Sequence, residues 1–156
     1  MKFYNVLQYG AKGDGAANDA FAIQHAIDDC AKNGGGTVVL PSGAGRVYLS
    51  DSIRLRAGVE LHIQKGATLR ATADIDGYIR PNKMINDPKT ALIGNPVTGK
   101  PSFVFLYAFE AHGASITGGG VIDANGRAFV QRKDQYYVTG DFYPRPTVIY
   151  FEKSDH

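Results

Sequence analysis

The sequence predicts an all-β solenoid of short stacked coils, closed at its start by one α-helix. Two observations predict it. The apolar pattern has a helical period once, between Asn18 and Gly36, and then changes to short runs of period two. Those runs also recur at a near-constant interval. Val38 to Val59 is a step of about 21 residues and Val47 to Leu69 a step of about 22, the length of a coil of three short strands. Such coils stack, with inward apolar residues aligned coil over coil. A β-sandwich would use hairpin turns, whereas "RAG", "QKGAT" and "TGGG" are single corners. The lack of a second helical run excludes a repeated βαβ plan.

The helix comes first. In "NDAFAIQHAIDDCAKNGGG", Ala20, Ile23, Ile27 and Cys30 fall on one stripe. Asn18 or Asp19 caps its start and Gly34 ends it in a left-handed turn, which places the helix at 19–32. Asp28 and Asp29 are adjacent, so they do not face each other as a catalytic pair; they read as a solvated face. Cys30 lies on the apolar stripe and reads as a small buried residue. As the single cysteine it forms no internal disulfide.

The strand runs follow in order: "TVVL" at 37–40, "RVYL" at 46–49, "SIRL" at 52–55, "VELHI" at 59–63 and "ATLRA" at 67–71. Later come "FVFLYAF" at 103–109, "ASIT" at 114–117, "GVID" at 120–123 and "TVIYF" at 147–151. His62 alternates with inward Leu61 and Ile63, so it faces out. Two stretches interrupt the coils. Residues 73–101 carry four prolines and little periodicity, and residues 124–146 are polar, aromatic and basic. Long loops in a compact domain are usually functional or disordered, and in a solenoid insertions gather on one face, often the binding face. Their Tyr, Arg and Lys residues suit sugar stacking and carboxylate contacts.

Composition narrows the function. At 156 residues one domain, 1–156, is the default, and it is long enough to bury a sizeable core. A net charge of +2 is too weak to argue for nucleic acid, though it tolerates an acidic polymer. No stretch approaches the ~20 apolar residues of a membrane span. "MKFYNVLQYG" lacks the apolar run of a secretory leader, which leaves the compartment open. "YGAKGDG", Tyr9–Gly15, is neither of the common nucleotide loops. Lys12 precedes Gly13 with no Ser or Thr in register, and the glycines run Gly-x-x-Gly-x-Gly, the reverse of the dinucleotide fingerprint. Asp14, Asn18 and Asp19 lack the spacing of a calcium loop. The stretch reads as a tight turn ahead of the helix.

"YGAKGDGAANDAFAIQHAID" resembles the opening of the pectate-lyase-like, right-handed parallel β-helix superfamily, where a Gly-rich turn leads to a capping helix. Phage tailspikes share that opening. "GGGTVVLPSG", "YLSDSIRLRAGVELHIQKGATLRAT", "ITGGGVIDANG" and "RPTVIYFE" make the chain similar to glycoside hydrolase family 28, the polygalacturonase and rhamnogalacturonase group, from about Asn5 to Glu152. The resemblance implies an inverting hydrolase of galacturonosyl bonds in pectin, with an acid and a base held roughly 6.5–9.5 Å apart. The family's Asn-Thr-Asp, Asp-Asp, Gly-His-Gly and Arg-Ile-Lys motifs are not present. "NDP" at 86–88, "AHGAS" at 111–115 and "IRLR" at 53–56 only imitate them. No catalytic residue is therefore carried over. The expectation is a truncated solenoid: the N-terminal coils of a larger enzyme, inactive alone, with an open last coil that further chain or a partner covers.

For binding an acidic polysaccharide such as polygalacturonate, the candidates are Arg145, whose planar fork matches a uronate carboxylate, and Tyr143. The competing reading of Arg145 is a structural tie between loop and coil. No metal and no cofactor are expected. A lyase would need a Ca²⁺ site, for which Asp74 and Asp76 are the nearest residues, and they read as loop caps. The alternative function is a non-catalytic β-helix, carbohydrate-binding or tailspike-like.

Overall fold

The computed structural model describes residues 2–81, 101, 103–129, 131–133, 136–138 and 146–155. The chain starts with β1 (Phe3–Asn5), a 3-10 turn at Val6–Tyr9 and β2 (Asp14–Asn18), and then forms α1 (Ala20–Lys32). The first full coil is β3 (Gly36–Leu40), β4 (Val47–Ser50) and β5 (Ile53–Leu55). The second is β6 (Val59–Ile63), β7 (Thr68–Ala71) and β8 (Val104–Phe109). The third begins with β9 (Ser115–Gly118) and β10 (Val121–Asp123). A hairpin of β11 (Gln131–Lys133) and β12 (Tyr136–Val138) precedes its last strand, β13 (Thr147–Glu152). Matching strands stack in parallel into three sheets: β1-β3-β6-β9, β2-β4-β7-β10 and β5-β8-β13. This is the parallel β-helix that the repeat and the resemblance predict.

Inward side chains build the core as columns along the stack. Val38, Leu61 and Ile116 line the first sheet, Tyr48, Leu69 and Ile122 the second, and Ile53, Leu106 and Ile149 the third. Each fully buried aliphatic side chain stabilises the fold by about 1.5–3 kcal/mol. The register differs from the sequence expectation. Val38 pairs with Leu61 rather than Val59, a two-residue shift that keeps the same face inward. Tyr48, not Val47, pairs with Leu69, and that one-residue shift reverses the faces. Tyr48 is fully buried, and its hydroxyl donates to the Pro41 carbonyl at 2.7 Å, so the polar end is satisfied.

The helix closes the first coil with Ala22, Ile23, Ala26, Ile27 and Cys30, all buried. Cys30 is the packed apolar residue expected of it. Ala20 is only half-buried, because the stripe runs through Ala22 and Ala26 instead. Asp28 and Asp29 are not merely solvated. Asp28 pairs with Arg56 at 2.6 Å, while Asp29 accepts from the Tyr9 hydroxyl at 2.6 Å and from the Asn33 side chain at 3.0 Å. That bond to Asp29, with burial behind it, pushes Tyr9 up to about 12.

The cap residues divide their work. The Asn18 side chain accepts from the Ala20 N–H at 3.0 Å. Asp19 sits at the N-cap but turns back to "YGAKGDG", accepting from the Lys12 and Gly13 N–H groups at 2.7 and 2.9 Å. Asp19 is 3% exposed. Replacing it with Ala leaves two amides without their acceptor where water cannot easily replace it. A loss of about 1–3 kcal/mol in urea unfolding is expected. An unchanged midpoint would mean that the carboxylate does not hold this turn. The turn ends sooner than the sequence suggests, since Asp14 already begins β2 and pairs with Val47.

Candidate functional site

Both long connections leave the stack at one corner. The chain departs from the second sheet after β7 and β10 and returns at the third sheet with β8 and β13, whereas in the first coil Asp51 and Ser52 alone make this corner. Hydrogen bonds tie the corner from coil to coil. The Asn18 amide donates to Asp51 Oδ2 at 2.7 Å, the Thr72 hydroxyl to Asp51 Oδ1 at 2.6 Å, and the Asn125 amide to the Ala71 carbonyl at 3.0 Å.

The returning strands place side chains on the outer face of the third sheet. Nearest the corner, Phe105 points outward yet is fully buried. Tyr78 from one connection lies 6.4 Å from it, and Phe129 from the other meets Tyr78 edge-on at 6.5 Å. Burial pushes Tyr78 up to about 12, and its hydroxyl donates to the Thr72 carbonyl at 2.7 Å. Farther along, the register aligns Arg54, Tyr107 and Tyr150. The Arg54 guanidinium carbon is 5.7 Å from the Tyr107 ring, and Tyr107 stacks on Tyr150 at 6.0 Å and 4°. Phe109 stacks on Tyr107 at 6.3 Å, and Lys153 Nζ is 5.6 Å from the Phe109 ring. The Tyr107 hydroxyl donates to Glu152 at 3.0 Å; burial first, and this bond second, push it up to about 12.

This face offers flat rings beside cations, the chemistry that stacks on sugar rings and pairs with their carboxylates. Tyr107 is only 6% exposed, so this face presents Tyr150, Phe109 and Arg54 to solvent. Sequence reasoning missed this column. It read Arg54 as part of a coil strand, and only the register shows that Arg54, Tyr107 and Tyr150, far apart in the chain, are neighbours.

Of the residues singled out in the sequence, Tyr143 and Arg145 lie outside the described residues, just ahead of β13 in the chain. Asp74 accepts from the Asp76 N–H at 3.0 Å and caps the 3-10 turn at Ile75–Gly77, as a loop cap should. Among the described residues no three His, Cys, Asp or Glu side chains gather as a metal would need. His62 faces out as expected, with Nδ1 2.8 Å from the Thr117 hydroxyl. The Thr117 and Thr37 hydroxyls donate to Glu60 and hold its carboxyl below the usual range. His112 of "AHGAS" contacts Asp155 at the corner after β8.

Residues 3–131 match the family model for rhamnogalacturonase A/epimerase, pectate lyase-like. The chain is 31% identical over 128 residues to an exo-poly-alpha-D-galacturonosidase from Dickeya chrysanthemi, across 80% of this chain and 20% of that protein. A shorter match, 64% identical over 48 residues, relates 31% of the chain to 6% of alginate lyase 7 from Azotobacter vinelandii. The hyperthermoactive exopolygalacturonase structure from Thermotoga maritima aligns with a TM-score of 0.59 and 27% identity, over 78% of this chain and 24% of that one. The chain thus spans a fifth or less of the length of these two curated relatives.

Proposed function

The chain belongs to the pectate-lyase-like rhamnogalacturonase A/epimerase family, and from that membership we propose that it forms the N-terminal coils of a hydrolase of α-galacturonosyl linkages. In this reading the outer face of the third sheet holds part of an acidic polysaccharide. The observation that carries it is the Arg54–Tyr107–Tyr150 column on the face where both connections return. Arg54 supplies a carboxylate fork and Tyr150 a stacking surface. Tyr143 and Arg145, next to β13 in the chain, extend the same binding role. Inverting hydrolysis needs two carboxyl groups across a gap that admits water, and the reading assigns that pair to further coils. Ile149 and Phe151, on the inner side of β13, are 44% and 40% exposed, which supports further chain or a partner covering β9, β10 and β13.

The test is affinity electrophoresis of the chain in gels containing polygalacturonate, with reducing-end release measured in parallel. The chain is expected to be retarded and to release no reducing ends. Arg54→Ala combined with Tyr150→Ala is expected to weaken retention about tenfold, near 1.4 kcal/mol. Unchanged retention in the folded double variant would remove the third sheet from the reading. Reducing ends released by the chain alone would overturn the assignment of the carboxylates elsewhere.

A further inference from the structure

We propose a second acidic-sugar site, on the outer face of the second sheet, in a pocket of about 340 Å³ lined by Arg70, Asp123, Asn125, Gly126 and Arg127. It is open to solvent and about as large as the smallest small-ligand pockets, near 300 Å³, so it has room for more than a bare anion. The site is separate from the Arg54 column, because the corner between the second and third sheets lies between them.

The register builds one wall. Arg70 on β7 pairs with Asp123 on β10, and both side chains point outward. Arg70 Nε donates to Asp123 Oδ2 at 2.8 Å, while Asp123 Oδ1 accepts from the Asn125 N–H at 2.8 Å. Those bonds, the Asn125 amide first and Arg70 next, hold the Asp123 carboxyl below its usual range. Both oxygens of Asp123 thus hold a partner, and the bond to Arg70 orients its guanidinium group. Arg70 uses Nε for this bond, which leaves its terminal nitrogens for another acceptor.

The other wall comes from the chain turning over the corner. Asn125 has φ 50°, and its side chain is anchored to the Ala71 carbonyl. That bend carries Gly126 and Arg127 over the pocket. Gly126 has open space where a side chain would stand, so a ring can approach the backbone. Arg127 is exposed, and among the described residues it has no carboxylate partner. The lining holds two guanidinium groups and one carboxylate, so it carries a net positive charge. A planar carboxylate on a polyhydroxylated ring satisfies both the forks and the volume. The ligand class is therefore a uronate sugar, a choice that rests on the acidic-polysaccharide reading above.

The experiment is NMR titration of the chain with trigalacturonate, following backbone amides around Arg127 and around Tyr150 separately. Saturable shifts are expected at both places. Arg127→Ala should weaken binding at the Arg127 site tenfold or more and leave the Tyr150 site unchanged, and Arg127→Lys should restore part of the loss. Arg54→Ala should do the reverse, so failure of one reading leaves the other visible. Equal binding at the Arg127 site in Arg127→Ala would overturn the proposal. So would equal binding there of a neutral galactose trimer, or of inorganic phosphate with the affinity of trigalacturonate.

Discussion

Gly118→Ala is expected to destabilise the chain by about 2–5 kcal/mol. Gly118 ends β9 opposite Ile63, with φ +100°. A Cβ there would stand 2.0 Å from the Ile63 carbonyl oxygen and 2.7 Å from its carbon. The left-handed backbone costs an L-residue about 1–2 kcal/mol, and the clash adds about 1–3 kcal/mol because backbone cannot swing aside as a side chain can. Against a total stability of about 5–15 kcal/mol, this is a large fraction. Gly10→Ala is the control: its φ is +96°, but nothing lies within 4 Å of the added carbon. Gly10→Ala should therefore show the conformational part alone. If urea unfolding gives equal losses for the two variants, the close approach of β9 to β6 is not what requires glycine.

Phe105→Ala is expected to cost about 3–5 kcal/mol, the usual loss for a buried aromatic ring. The site is unusual in lying outside the solenoid. Phe105 is sealed by Tyr78 and, through it, by Phe129, one from each long connection. Its removal should therefore raise hydrogen exchange at Tyr78 and Phe129 before it affects Leu61 or Leu69 in the inner columns. A loss below 1 kcal/mol, or exchange rising equally inside and outside, would mean that the two connections are held by something other than this ring.

Much of the stack could be read from the sequence, because alternation is a local signal. The strands β3–β7, β9, β10 and β13 each carry an apolar face of period two, β8 is a continuous apolar run, and α1 has its own stripe. β1 and β2 lack that signal. Asp14–Asn18 is a strand only because β4 offers backbone partners, and "DGAAN" has no apolar alternation of its own. Register was legible only to within a residue or two. The interval differs between sheets, Gly36 to Val59 on the first and Val47 to Thr68 on the second, because the corners differ in length. The candidate faces were the least legible, since they gather residues such as Arg54, Tyr107 and Tyr150 through stacking between coils. No local pattern marks such a column.

The bonded corner has a consequence for how such a molecule changes over time. Asp51, Thr72 and Asn125 fasten neighbouring coils at the points of departure, so these ties do not depend on how long the chain is between leaving and returning. Two residues suffice in one coil and about thirty span the same corner in the next. The corner acts as a socket, where a segment of new length and specificity can be grafted while the scaffold and its inner columns are inherited intact.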